Sequence, residues 1–144
     1  MKSIVLSLIL VTSLISCSKN DDNRNNNPFL ITPSVSFSLN LNLPQYSVLN
    51  FPNESVVIDN YGIKGIVVYC VTENEYRAFE LSDPNHIPNS CSKMTITSPI
   101  ATCPCDDGNK YNIIDGQFTP QDNTKYPMLQ FRAERNGNII NVFN

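Results

Sequence analysis

The stretch Ser34-Val35-Ser36-Phe37-Ser38-Leu39-Asn40-Leu41-Asn42-Leu43 alternates apolar and polar residues without a break. Successive side chains of a strand point to opposite faces, so the pattern puts Val35, Phe37, Leu39, Leu41 and Leu43 on a core and the Ser and Asn residues in water. A helix would scatter the same residues around its whole circumference. Working outward, short runs rich in β-branched and aromatic residues occupy 56–58, 65–71, 76–81, 94–97, 111–114, 128–133 and 139–143, with turn residues between them. No segment sustains a helical apolar period, and alanine, the strongest helix former, stands only at Ala78, Ala101 and Ala133. Asn136-Gly137 lies between the last two runs; both residue types tolerate positive φ, which predicts a hairpin with a type I′ turn. Many short strands joined by polar turns, with Pro84, Pro88, Pro99, Pro104 and Pro120 marking loops, predict an all-β antiparallel sandwich or barrel.

At 144 residues, less a leader, the chain has room for one domain. Its formal charge of −3 comes with no run of Lys or Arg, so it lacks the phosphate-neutralising surface that nucleic acid requires. Lys2 precedes the apolar run 4–11, which is too short to span a bilayer and has the form of a secretory h-region. That segment ends in Leu14-Ile15-Ser16-Cys17, which resembles the lipobox of bacterial lipoproteins. The resemblance implies acylation of Cys17, cleavage just before it, and attachment to a membrane through the lipid. Residues 1–16 are then a signal peptide, residues 17–30 the lipidated Cys with a disordered polar tether, and residues 31–144 the β domain. Cys17-Ser18-Lys19-Asn20-Asp21-Asp22 is similar to the charged export signal of surface lipoproteins in Bacteroidetes-type bacteria. This implies a place in the cell envelope, at the outer membrane or cell surface. No protein partner is legible in the sequence.

Four further cysteines, Cys70, Cys91, Cys103 and Cys105, allow three full pairings in an oxidising compartment. Cys70 lies in the apolar run 66–71, where a free thiol packs as a small hydrophobe. Cys103, if unpaired, reads as a reactive thiol in an exposed loop, and Cys103-Pro104-Cys105 as a redox pair whose close spacing strains a local disulfide. Asp106-Asp107-Gly108-Asn109 offers oxygen donors to Ca²⁺, but the spacing matches no EF-hand and a solvated turn is expected. His86 is the single histidine, which rules out a multi-His metal site. No phosphate loop, nucleophile elbow or zinc-protease motif occurs, so no enzymatic activity is expected.

The segment 78–86, then Cys91, then 101–111 with Asp115-Gly116 following, resembles the Rieske iron-sulfur domain from about Gly65 to the C-terminus. In that family a Cys-x-His loop and a Cys-x-x-His loop hold a [2Fe-2S] cluster, two Cys on one iron and two His on the other. Laid on this chain, the pattern puts Pro84 at the first Cys position, His86 at the first His, Cys103 at the second Cys and Asp106 at the second His. A carboxylate at Asp106 can still bind metal, whereas Pro84 has no side-chain donor. Asp83 slipping into the gap, or Cys91 replacing the thiolate, would supply a donor, but either would move a loop that the family keeps tightly defined. The resemblance also implies a disulfide between Cys91 and Cys105 that ties the two loops, with Cys70 to Cys103 as the complementary pairing. The expectation is a Rieske-like β-sandwich or barrel whose two loops form a former cluster-binding tip. It is a lipid-anchored binding or structural module without a cofactor; the alternative is a [2Fe-2S] electron-transfer protein with non-standard ligands.

Overall fold

The computed structural model describes residues 27–144, so the signal peptide, Cys17 and most of the expected tether lie outside the described residues. Nine strands follow in order: β1 (Ser36–Asn40), β2 (Ser55–Ile58), β3 (Ile66–Thr72), β4 (Glu75–Glu80), β5 (Thr95–Thr97), β6 (Ile100–Thr102), β7 (Lys110–Asn112), β8 (Gln130–Asn136) and β9 (Ile139–Phe143). A single 3-10 turn at Ser47–Asn50 is the one helical element among the described residues. The fold is all-β and antiparallel, as the alternation implies.

Six strands form one sheet in the order β1-β9-β8-β4-β3-β2, and β5-β6-β7 form a second. The first sheet curls, because its two edge strands share one core. Phe37 of β1 stacks on Tyr61, just beyond β2, at a ring separation of 4.3 Å. Inside the curl lie Leu39, Leu49, Ile66, Val68, Cys70, Phe131 and Ile140, all buried. The opposite face of β3 and β4 is buried too, because the second sheet covers it: Val67, Tyr69, Phe79 and Leu81 pack against Met94, Ala101, Cys103, Tyr111 and Ile113. Burial on both faces is why β3 reads as a continuous apolar run rather than an alternating one.

This architecture departs from the sequence reading in four places. The strand expected over 34–43 ends at Asn40, where the chain turns, and Leu43 is exposed. Strand β6 gave no separate signal: it is three residues long and squeezed between Pro99 and Pro104, too short to display a period. The closing hairpin pairs Asn136 with Ile139, so its central residues are Gly137 and Asn138. Only Gly137 has positive φ, at 60°, which is the mark of a type II′ turn rather than the expected I′ turn at Asn136-Gly137. The tether expected over 17–30 also ends early. Asn27 donates its side-chain amide to the Pro84 carbonyl at 2.7 Å, and Leu30 is buried.

Gly116 sits at φ +76° with its α-carbon against the Phe79 ring; a Cβ there would stand 2.6 Å from Cε1. Phe79 is itself buried between the sheets and cannot withdraw. Gly116→Ala therefore combines backbone strain with overpacking and is expected to cost about 2 kcal/mol. Urea unfolding that gives an unchanged midpoint would contradict this packing.

Candidate functional site

Two loops meet beyond the edge of the second core. The first leaves β4 and is stapled shut at its base, with Met94 N–H bonded to Leu81 O at 2.8 Å and Asp83 N–H to Ser92 O at 3.0 Å. The second is the tight connection from β6 to β7, closed by Cys103 N–H to Asn109 O at 2.8 Å and Gly108 N–H to Cys105 O at 3.0 Å. A disulfide between Cys91 and Cys105 ties the loops together, with 5.2 Å between the α-carbons. Cys70 and Cys103 are both free and both buried, so the complementary bridge between them is not formed and Cys103 is not an exposed thiol. Cys105 is taken up by Cys91, which removes the Cys103-Cys105 redox pair.

His86 reaches across from the first loop to the second. Its Nδ1 lies 3.1 Å from the Ile87 carbonyl. A carbonyl only accepts, so this contact requires a proton on Nδ1 and leaves Nε2 as the ring nitrogen turned toward the second loop. Nε2 faces the Cys103 sulfur at 3.4 Å and the Oδ2 atoms of Asp83 and Asp107 at 3.7 Å each. These four donors lie within 4.8 Å of one another. Cys105 Sγ is also close to His86 and Cys103, but its disulfide bond leaves it a poor ligand.

The expected ligand set is therefore changed. His86 and Cys103 come together, whereas Asp106 does not join them: it is exposed at the cleft mouth, and Asp107 takes its place. Asp106 and Asp107 are the two central residues of the turn closed by Gly108 N–H and Cys105 O. Asn109 draws Asp107 inward, donating to its Oδ2 at 2.8 Å. Asp83, immediately before Pro84, fills the position that proline cannot, and Cys91 does not.

Asp83 is fully buried and firmly held. Its Oδ1 accepts from the Tyr111 hydroxyl at 2.8 Å and from the Asn85 backbone N–H at 2.8 Å, and its Oδ2 accepts from Asn109 Nδ2 at 3.0 Å. Asn109 thus bridges both carboxylates. Tyr111 in turn accepts from Asn85 Nδ2 at 2.8 Å, and Asn85 bonds the backbone of Tyr126 through both ends of its amide. The roles of Tyr111 and Asn109 escape a reading of the sequence, which brings up Asn109 only among oxygen donors for Ca²⁺, because a Tyr in an alternating strand and an Asn in a turn are ordinary there.

Burial pushes the Cys103 thiol up to about 12, the nearby Asp83 and Asp107 carboxylates push in the same direction, and the Cys105 amide donating to the sulfur opposes them. At neutral pH the thiol is protonated and is no nucleophile. Nor do these residues form a Cys-His-Asp relay, since both carboxylates lie on Nε2, the nitrogen that already faces the sulfur.

The family pattern noted in the sequence would place a [2Fe-2S] cluster here, and the residues do not fit it. In such a cluster thiolates and imidazoles sit on different irons, with the iron-iron span between them. Here the sulfur and the imidazole nitrogen touch, at 3.4 Å. Two carboxylates also stand where a thiolate and an imidazole are required.

No family model matches the chain, and no curated protein matches it. Among solved structures it is similar to the complex of reduced oxygenase and oxidized ferredoxin in carbazole 1,9a-dioxygenase, with 22% identity, 64% of this chain and 82% of that chain covered, and a TM-score of 0.45. The ferredoxin of carbazole 1,9a-dioxygenase from Nocardioides aromaticivorans IC177 is similar at 16% identity, with 65% and 86% covered and a TM-score of 0.44. The Escherichia coli protein NirD is similar at 10% identity, with 79% and 98% covered and a TM-score of 0.46. At these identities and TM-scores the reading of the site rests on its own geometry.

Proposed function

We propose that this chain is a lipid-anchored module of the bacterial cell envelope, of Bacteroidetes type, whose Rieske-like domain has lost its iron-sulfur cluster and serves binding or structure rather than electron transfer. One observation supports the cluster-loss reading above the others: the His86 nitrogen and the Cys103 sulfur are in direct contact, closer than donors held on two different irons would stand. The Rieske-like reading is supported by the two loops converging on one tip with a disulfide between them. Anchoring is supported by Leu14-Ile15-Ser16-Cys17 after the apolar run 4–11. An anchor of several acyl chains holds the domain at the membrane without a spanning helix.

Protein matured in its own host should contain neither stoichiometric iron nor labile sulfide, and its spectrum should lack visible charge-transfer bands. Two irons and two sulfides per chain would restore the electron-carrier reading. Mass spectrometry of the mature N-terminus should find acylated Cys17; an unmodified chain beginning elsewhere would remove the anchor.

A further inference from the structure

We propose that Asp83, His86, Cys103 and Asp107 form a mononuclear site for a divalent first-row transition ion of the zinc class, which clamps the two loops together. The inference rests on the reading that no two-iron cluster occupies these loops, and it assigns the position a different occupant.

Distance is the first argument. A tetrahedral ion with ligand bonds of about 2.0–2.3 Å sets its donor atoms about 3.3–3.7 Å apart. His86 Nε2 lies 3.4 Å from the Cys103 sulfur and 3.7 Å from each carboxylate oxygen. Orientation is the second argument. The His86 Nδ1 contact with the Ile87 carbonyl orients the ring with Nε2 turned inward, the arrangement of metal-bound imidazoles. The hydrogen bonds from Tyr111, Asn85 and Asn109 hold the Asp83 carboxylate, and Asn109 also holds Asp107. These contacts form an outer shell around the donor set.

Charge is the third argument. Asp83 is fully buried close to a second carboxylate, and among the described residues the one ion-pair partner of either is the His86 imidazole, 3.7 Å from both. Two carboxylates facing a single imidazole leave an excess of negative charge that a divalent cation would offset. Ligand chemistry then selects the ion. One imidazole, one thiolate and two carboxylates suit zinc or its neighbours, whereas Ca²⁺ and Mg²⁺ take more ligands, all of them oxygen. The cleft lined by His86, Cys105, Asp106 and Asp107 provides the way in. On binding, the Cys103 S–H bond breaks, a metal-sulfur bond forms and the proton leaves to water; nothing is oxidised or reduced.

The test is a titration of the full, disulfide-intact chain with Co²⁺, followed by Zn²⁺. The expected result is uptake of one Co²⁺ per chain, with the near-ultraviolet band of thiolate-to-cobalt charge transfer and the intense visible bands of a tetrahedral ion. Zn²⁺ should bleach these bands and raise the melting temperature. Cys103→Ser should abolish the charge-transfer band. Asp107→Asn alters an exposed residue and keeps the fold, and it should weaken Co²⁺ binding at least about tenfold. Asp106→Asn should bind like the native chain. Absence of the band in native protein, or a loss with Asp106→Asn and none with Asp107→Asn, overturns the site. Iron with labile sulfide in host-matured protein overturns the cluster-loss reading instead, so the two failures are distinct.

Discussion

Glu80→Ala is expected to lower stability by about 4 kcal/mol and the melting temperature by about 15 °C. The Glu80 carboxylate is fully buried at the end of β4 and accepts three backbone amides, Ile63 N–H at 2.7 Å, Lys64 N–H at 2.7 Å and Ser82 N–H at 3.0 Å. It therefore replaces a strand partner for the segment that turns from β2 into β3. Alanine removes the acceptor from all three donors at once, and each buried unpaired amide costs about 1–3 kcal/mol before water enters. Thermal unfolding followed by circular dichroism measures the effect; a loss below about 1 kcal/mol would mean that the three amides find other acceptors.

The same residue makes stability depend on pH. Burial holds the Glu80 carboxyl above its ordinary value of 4.5, outweighing the amides that favour the charged form. The folded protein then binds this proton more tightly than the unfolded chain does. The contribution is full below pH 4.5 and is lost as pH rises through the raised folded value. The stability margin of the native chain over Glu80→Gln should accordingly be widest in acid and narrow as the pH increases. A margin that widens with pH would show that the amides win.

Replacing Cys91 and Cys105 together by Ser should cost about 3 kcal/mol, the chain-entropy value for a loop of this size, since the bridge closes a separation of 14 residues. Its effect should concentrate at the tip. Among the described residues the disulfide is the one cross-link between the loop that carries His86 and the loop that carries Cys103, and both Cys residues lie outside the main cores, with Cys105 only partly packed. Hydrogen exchange should rise at residues 84–92 and 103–109 while β3 and β4, buried on both faces, stay protected. Uniform loss of protection would indicate that the bridge supports the whole domain.

Much of the fold was legible because strand formation leaves a local trace. Alternation around β1 marked its buried face, and Val35, Leu39 and Leu41 are indeed buried. The apolar run of β3 marked a strand, and the structure covers it on both sides. Where elements were too short or two registers were equally good, the trace failed. Strand β6 had no period to show, and Asn136-Gly137 and Gly137-Asn138 are both acceptable turn pairs until Arg135 aligns with Ile140. At the site, counting residues along the family pattern led to Asp106, because spacing records distance along the chain and not the direction in which a turn projects its side chains.

The amino-acid sequence by itself determined an all-β chain, the strands of its main sheet, and a set of donors gathered in two loops, because period-two burial and turn chemistry act between residues a few positions apart. Only the tertiary structure decided which donors converge. His86 and Cys103 are 17 residues apart and stand 3.4 Å from each other where a disulfide joins their loops, while Asn109 and Tyr111 hold the carboxylates beside them. Coordination depends on the meeting of atoms to within a fraction of an ångström, and that is set by packing between segments, which no local pattern encodes.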